Sequence, residues 1–479
     1  MKPGKVLAFM LGVFSLMGIG WLVWPAEGVS VGGMTLRYAS LREDMQRDPS
    51  AAGPDIDAVL DSVRSGMNFS RDTLDFYAGY FRNNPHRIYL PDDDYTFFDD
   101  VFEDFEAAVE RGTVYRVAHY GDSQIEGDRI SSQLREALQE RFGGEGTGMF
   151  PALSNVPSAS ILRFADGPMV HYTMYGDTTT VRAPHCRYGV MAQLTDLGGA
   201  ATVSIRATTN KNAPARVKTF SRIGVLLGRN SRRFSLRMVS DTIRPAAVVL
   251  DRDTVGAVLV SWDLPHPVSK ATLYLNGTAE IYGIMADGAS GVAVDNIPLR
   301  GCSGTIFTRI DSRVMSRSMA SDSTRLIILQ FGGNYMPVAT SSDVIGRYGS
   351  RIAEQIQYFR KVAPRARILM IGPSDMGKSV GGRIKTWPRL PELVDTLKAT
   401  ALRNGAAYWD LYGMMGGENS MVEWVRHKPA LAGPDYIHFT PLGAQEVGDA
   451  FARSLLVYHD FYLLRKEIPE EKIKRAFGK

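Results

Sequence analysis

The feature that most constrains this chain is an interruption. Tyr115–Phe142 (YRVAHYGDSQIEGDRISSQLREALQERF) reads as a strand, a turn and a helix. An apolar-weighted run ends at Gly121-Asp122-Ser123, and beyond Asp128 the apolar residues Ile130, Leu134, Ala137 and Leu138 fall at helical spacing. That texture resumes only at Arg325–Phe331, a continuous apolar run that stops at Gly332-Gly333-Asn334. Between the two lie short β-rich runs: Met169–Tyr175, Ala201–Thr208, Ile223–Leu227, Phe234–Val239, Ala257–Trp262, Ala271–Leu275 and Ala279–Met285. Turn residues such as Gly228, Asn230, Pro265 and Asn276-Gly277 separate them. Strands joined through helices make parallel sheets, whereas strands joined through turns make antiparallel ones. The chain is therefore expected to be α/β, with a doubly wound, mostly parallel sheet into which an all-β sandwich has been inserted.

Past Asn334 the alternation is regular. A helix carries Ile352, Ile356 and Phe359 on one face, and Arg367–Ile371 is a strand ending at Gly372-Pro373-Ser374. Leu390, Leu393, Val394, Leu397 and Ala401 mark a helix stopped by Asn404-Gly405. Ala407–Leu411 is a third strand, and Pro441 opens a final helix with Ala444, Val447 and Phe451. This gives a catalytic-type α/β unit in two parts, 113–150 and 294–460, around a sandwich at 151–293. A helical lead-in precedes it at 29–112, and a charged tail, either a peripheral helix or disordered, follows at 461–479. The aspartates of Asp92–Asp100 lack the glycine and closing glutamate of a calcium loop, so they read as a solvated helix start.

The N-terminus addresses the protein outward. Lys2 and Lys5 precede an uncharged run from Val6 to Trp24, so 1–28 is a secretory signal or an uncleaved membrane helix. The two Trp residues at its end and the lack of a small-x-small cleavage site favour the anchor, with the bulk of the chain in the periplasm or cell envelope. A net charge of +4 over 479 residues, without basic clusters interleaved with aromatics, argues against a nucleic-acid partner. Only Cys186 and Cys302 are present, which excludes a disulfide scaffold and a thiolate zinc site; they could pair in an oxidising compartment, but so far apart in sequence they read as separate buried thiols.

Four short blocks sit at or near strand ends: Gly121-Asp122-Ser123, Gly301, Gly332-Gly333-Asn334 and Asp435-x-x-His438. Acyl transfer needs a nucleophile, a base, a carboxylate that orients the base, and donors aimed at the developing oxyanion. Ser123, His438 and Asp435 fill the first three roles. The backbone N–H groups of Ser123 and Gly301 and the side chain of Asn334 fill the fourth, with Gly291 and Gly304 as alternatives to Gly301. His119, beside the turn, reads as a buried, hydrogen-bonded support. His171, His185 and His266 show no metal spacing. Lys378, Arg383 and Trp387 form either a wall for a sugar or a solvated loop.

These blocks resemble the SGNH (GDSL-type) hydrolases. The longer string HYGDSQIEGDRISSQLREALQERFGGEGTG is similar to bacterial members related to the peptidoglycan O-acetylesterases, which carry a sandwich similar to a carbohydrate-binding module between the first and second blocks. The resemblance covers about Val101–Tyr458. It implies the same assignment of Ser123, Gly301, Asn334, Asp435 and His438, and no metal or cofactor. Gln124 stands where the wider family has Leu, and Tyr335 where Asp is common; both bear on what lines the pocket. The expected activity is an exported serine esterase that removes O-acetyl groups from a glycan, peptidoglycan above all. The alternatives are an O-acetyltransferase acting on exported polysaccharide and a non-catalytic glycan-binding protein. Protein partners are not indicated.

Overall fold

The structure is a computed structural model. It describes residues 53–65 and 74–477, except 155, 177–180, 212, 242 and 255, together with the backbone of 29–31 and 34–36. The expected membrane segment at 1–28 lies outside the described residues, and among those described no helix is long and apolar enough to cross a membrane.

The central sheet contains β1 (Ile88–Tyr89), β2 (Val114–Gly121), β3 (Gly291–Pro298), β4 (Thr324–Gln330), β5 (Arg367–Ile371) and β6 (Ala407–Trp409), in the order β3-β2-β4-β5-β6-β1. All neighbours pair in parallel except β1 on β6. Helices α1 (Ser131–Phe142), α2 (Ser342–Val362), α3 (Leu390–Arg403) and α4 (Pro441–Glu467) cover it. Every residue of β2 and β4 is buried, which explains the continuous apolar runs: a parallel sheet sandwiched by helices has no solvent face. α1 and α4 share one apolar core beside the sheet, while α2 and α3 share a second core on its other face.

Two antiparallel sheets occupy the interruption and enclose a third core. Ala201–Ala207 and Phe234–Val239 alternate buried and more exposed positions, as one-sided strands do. Most of the expected runs are strands, but Ile161–Asp166, Gln193–Gly198 and Val248–Leu250 were not anticipated. Asn276-Gly277 connects strands that belong to different sheets, so it turns a corner between layers instead of closing a hairpin.

The expected boundaries need correction at four places. Gly146–Phe150, placed above in the first α/β part, pairs with Thr278–Asp287 of the sandwich. Gly291–Ala293, placed in the sandwich, opens β3 of the parallel sheet. The lead-in is not a separate unit, because it supplies β1 and buries Tyr77, Phe98, Phe102 and Phe105 in the core shared with α4. The tail is ordered: α4 runs to Glu467, and Glu470–Phe477 packs back through buried Ile473 and through Phe477 against Phe81, Tyr95 and Phe461.

Candidate active site

β2, β4 and β5 present their C-terminal ends to one cavity of about 600 Å³, the usual position for a site in an open α/β sheet. Ser123, Gly301, Asn334 and His438 line it, as do Phe331, Pro373, Met376 and Trp387.

β2 ends at Gly121, and the chain folds over at once into a single turn, Ser123–Ile125. A Cβ at Gly121 would lie only 3.0 Å from the Ile125 side chain, so a larger residue would push against the folded-over turn. Asp122 caps the turn, accepting from the Gln124 N–H at 3.0 Å. This leaves Ser123 half-buried, with Oγ 2.8 Å from His438 Nε2.

His438 precedes the N-terminus of α4, where Thr440 is the cap and Pro441 the first helical residue. Asp435 organises the approach to it. Oδ1 accepts the backbone N–H groups of Ile437 and His438, both at 3.0 Å, and Oδ2 lies 2.7 Å from His438 Nδ1. Tyr436, between them, has φ of +56°, a strained value for a side chain of this size. Burial alone would raise the Asp435 pKa, but the imidazole and the two backbone donors outweigh it and hold the carboxylate below its usual range. Ser123, His438 and Asp435 thus form a continuous hydrogen-bonded chain that can carry a proton away from Oγ.

Asn334 lies in a turn at Gly333–Val338 that follows β4. Its amide nitrogen donates to Asp122 Oδ2 at 2.9 Å and makes a longer 3.4 Å contact with the Cys302 carbonyl. One amide hydrogen is committed to Asp122, and the second, held only by the long contact to Cys302, is free to be shared with a ligand oxygen. The three candidate glycines separate cleanly. Gly291 pairs with Val114 at the opposite end of the sheet, and Gly304 lies against the Phe331 ring, where a Cβ would come within 2.6 Å. Of the three, Gly301 is the one that lines the cavity.

Several neighbouring groups resolve differently from one another. His119 is fully buried between Ser131 Oγ and Gln330 Oε1, and burial pushes its pKa down to about 4, so it is a neutral support. Tyr335 does not shape the pocket. It stacks on Tyr348 with ring centroids 4.0 Å apart and donates to the Val344 carbonyl. Trp387 lines the cavity with Lys378 4.6 Å above its ring, whereas Lys378 and Arg383 sit on a hairpin beside the cavity (Gly377–Val380 with Arg383–Thr386). The cysteines are free; Cys302 is buried with its thiol pushed up to about 12 by burial, but Cys186 is exposed, contrary to expectation. Among the described residues no cluster of metal-ligating side chains occurs.

Asp122, between Gly121 and Ser123, has a role that the sequence alone does not assign. Burial pushes its carboxyl up to about 6, and it joins the nucleophile turn to Asn334. Arg129 likewise has no role assigned by the sequence, and Gln124 reads there only as a residue bearing on the pocket lining. Gln124 reaches the backbone on either side of His438, and Arg129 reaches the carbonyl of Phe439 just after it.

Residues 276–446 match the family model described as GDSL-like Lipase/Acylhydrolase. The chain carries a GDSL-like acylhydrolase domain. The match begins within the last strands of the sandwich and takes in Asn334, Asp435 and His438, while Ser123 lies before it because the insertion separates the blocks. A domain of this type, with serine, histidine and aspartate hydrogen-bonded in line, makes the protein an esterase of the SGNH kind. Among solved structures, one titled "Peptidoglycan O-acetylesterase in action, 5 min" is similar at TM-score 0.60 and 20% identity, over 77% of this chain and 96% of that one. It establishes a shared fold over that share of the two chains. Two others are similar over smaller parts. The acetyl xylan esterase AlAXEase has 14% identity and TM-score 0.26 over 33% of this chain and 79% of its own. Est24, a carbohydrate acetylesterase from Sinorhizobium meliloti, has 15% identity and TM-score 0.25 over 34% of this chain and 78% of its own. No curated protein matches the sequence.

Proposed function

We propose that the protein removes O-acetyl groups from a glycan of the cell envelope, with O-acetylated peptidoglycan as the favoured substrate. The observation that carries this reading is the unbroken line from Ser123 Oγ through His438 to Asp435, opening on a cavity that Asn334 and Gly301 also line. The shared fold with a peptidoglycan O-acetylesterase supports the choice of polymer. The positively flanked apolar run at Val6–Trp24 supports export, either by a cleaved signal or with a retained anchor.

In this mechanism Ser123 Oγ attacks the acetyl carbonyl carbon while its proton passes to His438 Nε2. The carbonyl oxygen becomes an oxyanion, met by the backbone N–H groups of Ser123 and Gly301 and by the Asn334 amide. Collapse breaks the bond to the sugar oxygen, which leaves with the proton from His438, and the acetyl group stays on Ser123. Water, deprotonated by His438, then attacks the acetyl-serine, and acetate departs as Oγ recovers its proton. Asp435 holds the imidazole tautomer and stabilises the imidazolium throughout. The side chain of His438 is 39% solvent-exposed, which favours water over a sugar hydroxyl as the second acceptor and so hydrolysis over transfer.

The test is acetate release from O-acetylated peptidoglycan and from p-nitrophenyl acetate. The wild-type protein should release acetate from both, and Ser123→Ala should lose at least about 10³-fold in kcat/KM with an unchanged Tm. Acetate released from the small ester but not from peptidoglycan would move the substrate assignment to another glycan. Full activity in Ser123→Ala would overturn the site.

A further inference from the structure

The segment that carries His438 has little regular structure of its own, yet its imidazole must meet Ser123 to within a few tenths of an ångström. Some of its bonds are local: the Asp435 turn, and the Gly433 N–H donating to the His438 carbonyl at 2.8 Å. The hairpin beside the cavity adds one, the Gly377 N–H donating to the Tyr436 carbonyl at 2.8 Å, and the bonds that flank His438 itself come from the nucleophile turn and the residues just after it. Gln124 lies buried one residue after Ser123, with Nε2 donating to the Ile437 carbonyl at 2.6 Å and Oε1 accepting from the Phe439 N–H at 3.4 Å. The residues directly before and after His438 are therefore held by the two ends of one side-chain amide. Nε2 also reaches Ser374 Oγ at 3.4 Å, at the end of β5. Arg129 makes a second bridge. Its guanidinium donates to the carbonyls of Ser123 at 2.7 Å, Glu126 at 2.9 Å and Phe439 at 3.0 Å.

We propose that Gln124 and Arg129 are positioning residues that clamp the His438 segment to the Ser123 turn and so set the Oγ–Nε2 distance. The chemistry of the two side chains suits that task. Gln124 must offer a donor to one backbone group and an acceptor to another, and an amide is the uncharged side chain that does both. Leu, which the resembled family carries at this position, fills similar space and does neither. Arg129 supplies a rigid fork that can bond several carbonyls at once, which a lysine ammonium on a flexible stem cannot reproduce. Neither side chain bonds Ser123 Oγ or the His438 imidazole: Gln124 reaches His438 through its two chain neighbours, and Arg129 joins the Phe439 carbonyl to the Ser123 carbonyl. The clamp rests on the triad reading above, and its test separates the two.

Gln124→Leu keeps the volume and removes both hydrogen bonds. With p-nitrophenyl acetate it should lower kcat by roughly 10–100-fold and leave KM within about threefold, since a small misplacement of a catalytic group costs on this order. The deciding measurement places the same change in a His438→Ala background. If Gln124 acts through His438, the residual rate there is indifferent to Gln124→Leu. A Gln124→Leu rate within twofold of wild type, or an equal loss in both backgrounds, overturns the clamp and leaves the triad standing. Full activity in Ser123→Ala or His438→Ala, measured alongside, overturns the triad itself. Should Gln124→Leu fail to fold, as judged by Tm, Arg129→Lys decides by the same criteria, with an expected loss of about 5–20-fold in kcat that vanishes in the His438→Ala background.

Discussion

Two clusters of paired charge in this protein are built in opposite ways. At the junction of the sheet and the insertion, Arg116 of β2 pairs with Asp287 at 2.5 Å and with Asp295 of β3 at 2.7 Å, all three fully buried. Asp287 ends the last sandwich strand, and Asp295 also accepts the Met149 N–H at 2.6 Å, so one guanidinium ties both units together. At the other end of β2, His438 and Asp435 pair at 2.7 Å with side chains 39% and 48% exposed. The junction draws its positions from strands whose backbones are already fixed. The site draws its base from a loop, and side chains have to supply the order that strands supply elsewhere. One cluster therefore contributes to stability and the other to rate, and substitutions should separate them.

Arg116→Met should have the largest effect. It leaves two buried carboxylates without their cation, and breaking a buried pair from one side typically costs about 3–5 kcal/mol. Thermal unfolding should show a large fall in Tm, while the folded fraction keeps its kcat/KM for p-nitrophenyl acetate. An unchanged Tm would mean that the junction is not held by this cluster. Asn334→Ala reverses the pattern. Removing one oxyanion donor should lower kcat by about 10²–10³-fold, and Tm should stay close to that of the wild type. A loss confined to KM would take Asn334 out of the oxyanion site and make it a substrate contact.

The same contrast explains what could be read from the sequence. Buried parallel strands leave continuous apolar runs, so Arg325–Phe331 and Arg367–Ile371 were legible, as was the change of texture that marks the insertion. Short edge elements were not. Val248–Leu250 has three residues, and Ile88–Tyr89 has two, taking its place in the sheet from its pairing with β6. Gly146–Phe150 was assigned to the wrong unit because its glycine-rich run shows no strand alternation, whereas Gly146 and Gly148 adopt positive φ to press against the backbones of Ala286 and Val294. At the site, the reactive residues carried a pattern in Gly-Asp-Ser and Asp-x-x-His. Asp122, Gln124 and Arg129 act through hydrogen bonds to groups more than two hundred residues away in the chain, and local sequence holds no trace of such contacts.

Asp122 tests where the two kinds of cluster meet, since it is buried like the junction yet serves the site. Its pKa, raised chiefly by burial from 3.8 to about 6, means that the folded state holds the proton more tightly than the unfolded chain does. The sign follows from linkage. This stabilising contribution is fully present below the unfolded value and is lost as pH rises through about 6, when the fold must bury a charge. A shift of this size corresponds to ~3 kcal/mol at most. Asp122→Asn removes the titration, so the Tm of the variant relative to wild type should climb between pH 4 and pH 7 and be flat outside that window. Its kcat should fall only about fivefold, because the Asn334 amide exchanges a charged acceptor for a neutral one, a difference of about 1 kcal/mol. A Tm difference that does not vary with pH would show that Asp122 stays ionised throughout; Asn334 would then be held by a permanent charge, as Arg116 is held at the junction.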